Sequence, residues 1–122
     1  MATIKSYTDI EQSKKLAEIL PLESADMYYE PSAGFCTEPS EVRFGDIKYA
    51  HPRSIRCWSL AALLGVLPIK LQIVLAINDF QGDRKEKYVI GSVEHDNYDC
   101  YADNPVDACV AMIEKLHELK ML

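Results

Sequence analysis

The feature that most constrains this chain lies near its end, in the run Asp103-Asn104-Pro105-Val106-Asp107-Ala108-Cys109-Val110-Ala111-Met112-Ile113-Glu114-Lys115-Leu116. It specifies a helix start almost residue by residue. Asn104 can accept from the free amides of the first turn, Pro105 has its φ pre-set for the first helical position, and Asp107 places a carboxylate near the positive end of the helix dipole. Val106, Cys109, Val110 and Ile113 then recur at helical spacing and predict one apolar face. On that face Cys109 reads as a small hydrophobe.

A second helix is predicted near the other end. Thr8-Asp9-Ile10-Glu11 matches a capping box, with Thr8 as the cap, and Ile10, Leu16, Ala17 and Leu20 fall on one face. Glu11, Gln12, Lys14, Lys15 and Glu18 occupy the other face, and Pro21 ends the helix near Leu20. Between the two helices, Ser59 can cap a short one through Leu60, Ala61, Ala62, Leu63 and Leu64, stopped by Pro68. Its lack of polar residues predicts burial on most sides. Trp58, immediately before it, reads as a core anchor whose ring nitrogen finds an acceptor.

Strand signals fill the remainder. Met27-Tyr28-Tyr29 is one candidate, and Val42-Arg43-Phe44 and Ile47-Lys48-Tyr49 flank Gly45-Asp46 as a type II′ hairpin. The stretch from Pro31 to Pro39 reads as a loop. Leu71, Ile73, Leu75 and Ile77 alternate with Val74 and Ala76, which predicts a central strand, and Tyr88 to Val93 should return antiparallel after a polar turn. The segment from His95 to Asp103 either extends that sheet or leaves it. These elements predict a single α+β domain over residues 1–122: an antiparallel sheet of about four strands, two terminal amphipathic helices packed on one of its faces, and a short central helix.

Composition narrows the function classes. The formal charge is -6, from 13 basic and 19 acidic residues, and offers no electrostatic footprint for a phosphate backbone, so nucleic acid is disfavoured. The first residues lack the apolar core of a signal peptide, and no run approaches the roughly 18 apolar residues of a membrane span. A soluble, cytoplasmic protein with reduced thiols at Cys36, Cys57, Cys100 and Cys109 is therefore expected.

No phosphate-binding loop, dinucleotide fingerprint, zincin helix or nucleophile elbow occurs in the sequence. No cofactor is expected and no catalytic residue is assigned. The residual metal candidates are His51, Cys57, His95 and Cys100, two His/Cys pairs that could close a zinc site if the fold brought them together. Their long spacings, with no tight knuckle, favour two loop histidines and two unrelated thiols. Tyr98, Tyr101, Asp96 and Asp99 form an acidic, aromatic segment suited to a cation or a basic partner, although such a run is more often a solvated loop.

Three segments together carry a resemblance: Tyr7-Thr8-Asp9-Ile10 with Leu20-Pro21-Leu22-Glu23-Ser24-Ala25-Asp26-Met27, then Trp58-Ser59-Leu60-Ala61-Ala62-Leu63-Leu64, then Asn104-Pro105-Val106-Asp107-Ala108-Cys109-Val110. The chain resembles a family of small uncharacterised proteins encoded in prophages and conjugative elements of gut bacteria. The resemblance implies an accessory product of a mobile element that acts through contacts with another protein, and it brings no cofactor or catalytic residue with it. The functional expectation is a non-enzymatic accessory or regulatory protein with a protein partner, self-association into a homodimer included. Two alternatives stand beside it. One is a small hydrolase or metal-dependent enzyme built on His51, Cys57, His95 and Cys100. The other is an acidic inhibitor of a host defence protein or nuclease, presenting Asp83, Glu86, Glu94, Asp96, Asp99 and Asp103 on one face.

Overall fold

A computed structural model describes residues 5–29, 42–44, 54–78, 85–95 and 98–122, with the backbone alone for 42–44. The Pro31 to Pro39 loop, the Gly45-Asp46 turn and the strand expected after it lie outside the described residues, as do Cys36, His51, Asp83 and Asp96. In chain order the elements are α1 (Ile10–Ile19), β1 (Met27–Tyr29), β2 (Val42–Phe44), β3 (Ile55–Cys57), α2 (Leu60–Val66), β4 (Ile73–Ile77), β5 (Tyr88–Ser92), β6 (Cys100–Ala102) and α3 (Pro105–Glu118). The class is α+β with antiparallel pairing throughout.

Helix α3 forms as its sequence specifies. Asn104 Oδ1 accepts from the Asp107 amide at 2.8 Å, and Pro105 opens the first turn. Its buried face, including Val106, Cys109, Val110, Met112, Ile113 and Leu116, forms the centre of the larger hydrophobic core. The same Asp107 also ties down the start of the chain. Its carboxylate accepts from Lys5 Nζ, Gln12 Nε2 and Asn104 Nδ2, each at 2.8 Å. Burial pushes the Asp107 carboxyl up, but those donors outweigh it and hold the group below the usual carboxylate range.

Helix α1 begins one residue later than the sequence pattern suggests. Asp9 is the cap: its Oδ1 accepts from the Gln12 amide at 2.8 Å, and Gln12 Oε1 accepts from the Asp9 amide at 3.1 Å. Thr8 is buried and its hydroxyl is engaged elsewhere. It accepts from the Trp58 amide at 3.1 Å and lies 2.8 Å from Ser13 Oγ, so it cannot serve the helix start. Ser13 and Leu16 line the buried face of α1, whereas Ala17, expected inside, is exposed.

Instead of one sheet of about four strands, the described strands divide into two sheets of three, ordered β2-β1-β3 and β4-β5-β6. The reason lies after Cys57. Trp58 and α2 lead the chain from β3 onto α3, so β4 starts a new sheet that packs on that helix. Helix α3 packs on β5 and β6, while α1 packs on β3 and on α3, so the terminal helices do not share one sheet face. β4 is an edge strand among the described residues, not a central one, and β6 extends the sheet from the segment that offered two readings. Helix α2 is less enclosed than its composition suggests: Leu63 is buried, but Ala61, Leu64 and Gly65 are exposed. No helix of the described residues is long and apolar enough to cross a membrane.

Candidate functional site

The described metal candidates, Cys57, His95 and Cys100, are not drawn together by the fold, and His51 lies outside the described residues. Cys57 lies in the smaller hydrophobic cluster with Met27 and Tyr29, whereas Cys100 packs against the larger core. His95 stacks on Tyr98, with ring centroids 4.8 Å apart, in the turn between β5 and β6. Among the described residues no group of three or more His, Cys, Asp or Glu side chains could hold a metal ion.

The described cysteines share one electrostatic condition. Burial pushes the Cys109 thiol up to about 12, and it also raises Cys100 and Cys57, the latter against opposing hydrogen bonds from Thr8, Ser13 and Tyr29. The thiolate is the nucleophilic form, so all three are poorly suited to attack near neutral pH. The Tyr29 phenol, buried and donating to the Thr8 carbonyl at 2.6 Å, is raised as well.

These shifts predict alkaline lability. An unfolded thiol ionises near about pH 8.5, so above that value the unfolded chain releases a proton that the folded chain keeps, and stability falls as pH rises toward the folded value. Urea unfolding from neutral pH upward should show stability declining, with Cys109 contributing up to about 1.4 kcal/mol per pH unit. Cys109→Ala should make the decline shallower; an unchanged slope would place the titration in other groups.

A pocket of about 590 Å³ opens where the N-terminal segment crosses α2, lined by Ser6, Tyr7, Asp26, Met27, Ser59 and Leu60 among others. Its one carboxylate is already committed to structure. Asp26 accepts from the Ser59 amide at 2.9 Å and from Ser59 Oγ at 2.5 Å, and Ser59 in turn caps α2 by accepting from the Ala62 amide at 3.2 Å. This arrangement braces a helix start and commits the Ser59 hydroxyl to Asp26 and to the cap.

A more distinctive surface is the face of the β4-β5-β6 sheet opposite α3. In the register, Ala76 lies opposite Val89 and Val89 opposite Tyr101, while Val74 lies opposite Gly91; residues directly opposite share a face. The alternate set, Leu75, Ile90 and Cys100, turns toward α3, and Ile90 is fully buried. Asp99 lies over Gly91 on the outer face, where a Cβ would overlap its carboxylate. Tyr101 and Asp99, two of the four candidate partner-binding residues, thus share a surface with Val74, which is 51% exposed, and with exposed Ala76. Tyr98 packs against the core instead, and Asp96 lies outside the described residues.

The β4 edge completes this surface. The Val93 amide donates to the Gln72 carbonyl at 3.2 Å and the Asn78 amide to the Lys87 carbonyl at 2.7 Å, and both pairs obey the β4–β5 register. Hydrogen-bonded pairs alternate along an antiparallel ladder, so Val74 and Ala76 direct their backbone groups at β5. Ile73, Leu75 and Ile77 direct theirs away from it, toward the side where no described strand pairs. Natural edges are commonly blunted by charge or proline, and Ile73-Val74-Leu75-Ala76-Ile77 contains neither. Ile77 is 68% exposed.

Sequence reasoning found the strand but missed its edge position. No local signal marks it, because edges commonly carry charge or proline and an uncharged alternating run reads as a central strand. Of the acidic set, Glu86 precedes β5, Glu94 follows it, Asp99 precedes β6 and covers Gly91, and Asp103 precedes α3, so the described members flank the ends of different elements. No protein-family model matches the chain, and no curated protein or solved structure matches it either.

Proposed function

We propose that this chain is a non-enzymatic accessory or regulatory protein of a mobile genetic element, working in the cytoplasm by binding a protein through the β4-β5-β6 sheet. The observation that carries this reading is the uncharged β4 strand, with backbone donors and acceptors directed to an edge that no described strand occupies and with Val74 and Ile77 exposed beside it. Strand addition to such an edge draws affinity from main-chain hydrogen bonds and specificity from alternate side chains. Tyr101 and Asp99, on the adjoining face, supply an aromatic and an acidic contact of the kind that rims a protein interface.

The test is native mass spectrometry of the protein purified from its own host, run in parallel on Val74→Lys. Val74 points to solvent, so the variant should keep its far-UV circular dichroism and melting temperature while losing the bound chain. A bound protein that survives Val74→Lys would move the interface elsewhere. Stoichiometric zinc, or no bound chain of any kind, would overturn the proposal.

A further inference from the structure

The geometry points to a second copy of this chain as the occupant of the β4 edge, paired antiparallel about Leu75 so that two three-stranded sheets become one of six strands. This inference rests on the reading of the β4-β5-β6 sheet as a binding surface and names the partner.

The backbone supplies the first argument. Ile73, Leu75 and Ile77 each direct one N–H and one C=O to the side where no described strand pairs, as the alternation with β5 requires. A two-fold axis at Leu75 sets Leu75 against itself and Ile73 against Ile77 of the other copy. All three outward residues of both copies are then paired, in about six inter-chain hydrogen bonds. A two-fold centred on Val74 or on Ala76 leaves one of the outward residues of β4 without a partner inside the strand. Leu75 is therefore the centre that uses the whole edge.

The side chains agree with that register. Ile opposes Ile, Leu opposes Leu, and Val74 opposes Ala76, so a chain with a net charge of -6 meets its copy along a strand with no charge to repel it. Just beyond the strand the same register sets Gln72 opposite Asn78, amide to amide. The axis stands perpendicular to the sheet, so both α3 helices lie on one side and the two outer faces join on the other. Because α3 packs mainly on β5 and β6, it does not stand over the seam. A two-fold interface of this kind closes on itself, whereas offset pairing of an open edge would propagate.

The test combines three readings on the full chain. Sedimentation equilibrium over a dilution series should show the mass falling from two copies to one. Hydrogen exchange at the high-concentration end should slow specifically at the amides of Ile73, Leu75 and Ile77, while those of Val74 and Ala76, bonded to β5, stay protected throughout. Mixing Val74→Cys with Ala76→Cys should give the 74–76 inter-chain disulfide at least about tenfold faster than Val74→Cys gives 74–74, since directly opposed residues of a non-hydrogen-bonded pair lie within disulfide reach and diagonal ones do not. Peptide mapping separates this bond from the native thiols.

A dimer that prefers 74–74 or 76–76 crosslinks would overturn the Leu75-centred pairing. A monomer at every concentration would overturn self-association altogether. In that case a complex from the host that is still lost in Val74→Lys shows the sheet serving a different chain, whereas no complex at all removes the binding reading together with this one.

Discussion

Trp58→Ala should destabilise the protein by about 3–5 kcal/mol, the range for removing a fully enclosed large aromatic side chain. Trp58 is fully buried within the larger core, between β3 and α2, and its Nε1 donates to Ser24 Oγ at 2.9 Å. Loss of the ring leaves a cavity where two parts of the chain meet, and the short α2 cannot shift to fill it without giving up its Ser59 cap. Urea unfolding followed by far-UV circular dichroism measures the effect, because Trp58 is the sole tryptophan and its fluorescence disappears with it. Trp58→Phe keeps most of the apolar volume and loses one hydrogen bond, so it should cost distinctly less. A loss below about 1 kcal/mol in the alanine variant would remove Trp58 from its anchoring role.

The second large effect is expected at Thr8. Thr8→Val is nearly isosteric, yet it should cost about 1–3 kcal/mol, because it strands the Trp58 amide in a buried place. That amide donates to Thr8 Oγ1 at 3.1 Å, while the Ser13 hydroxyl, 2.8 Å from the same oxygen, loses one partner and keeps Cys57. The side chains of Thr8 and Ser13 are fully enclosed, and water cannot replace the missing partner without opening α1 from β3. Thr8→Ser retains the hydroxyl and loses one methyl group, so it should lie within about 1 kcal/mol of the parent. Equal costs for the valine and serine variants would mean that packing, not hydrogen bonding, sets the role of Thr8.

Thr8 also shows where local reading stops. The sequence around it satisfies a capping box, but the hydroxyl is claimed by an amide 50 positions away, and the cap passes to Asp9. Helix α3 was legible because its determinants, Asn104, Pro105, Asp107 and the apolar spacing, act within a few residues of one another. β3 was not, because Ile55-Arg56-Cys57 has no alternating run or turn signal of its own and becomes a strand by pairing with β1. The same holds for the candidate surface. Residues 73–77 announce a strand, but whether a strand lies on one side or both is a property of the whole sheet. The acidic, aromatic segment reads as a unit in the sequence, yet its described members part company at β6: Tyr101 and Asp99 go to the outer face and Tyr98 to the core.

The Asp107 junction has a consequence for how the chain comes to be folded during its synthesis. Lys5 and Gln12 reach across 102 and 95 positions to one carboxylate, and the helix that carries it also contributes seven of the fifteen buried residues of the larger core. On the ribosome, α1 and its β3 partner therefore emerge well before α3, and α1 completes its packing only once α3 has left the exit tunnel. Completion of this fold is a late event, and the uncharged β4 strand spends that interval without α3 to hold its sheet.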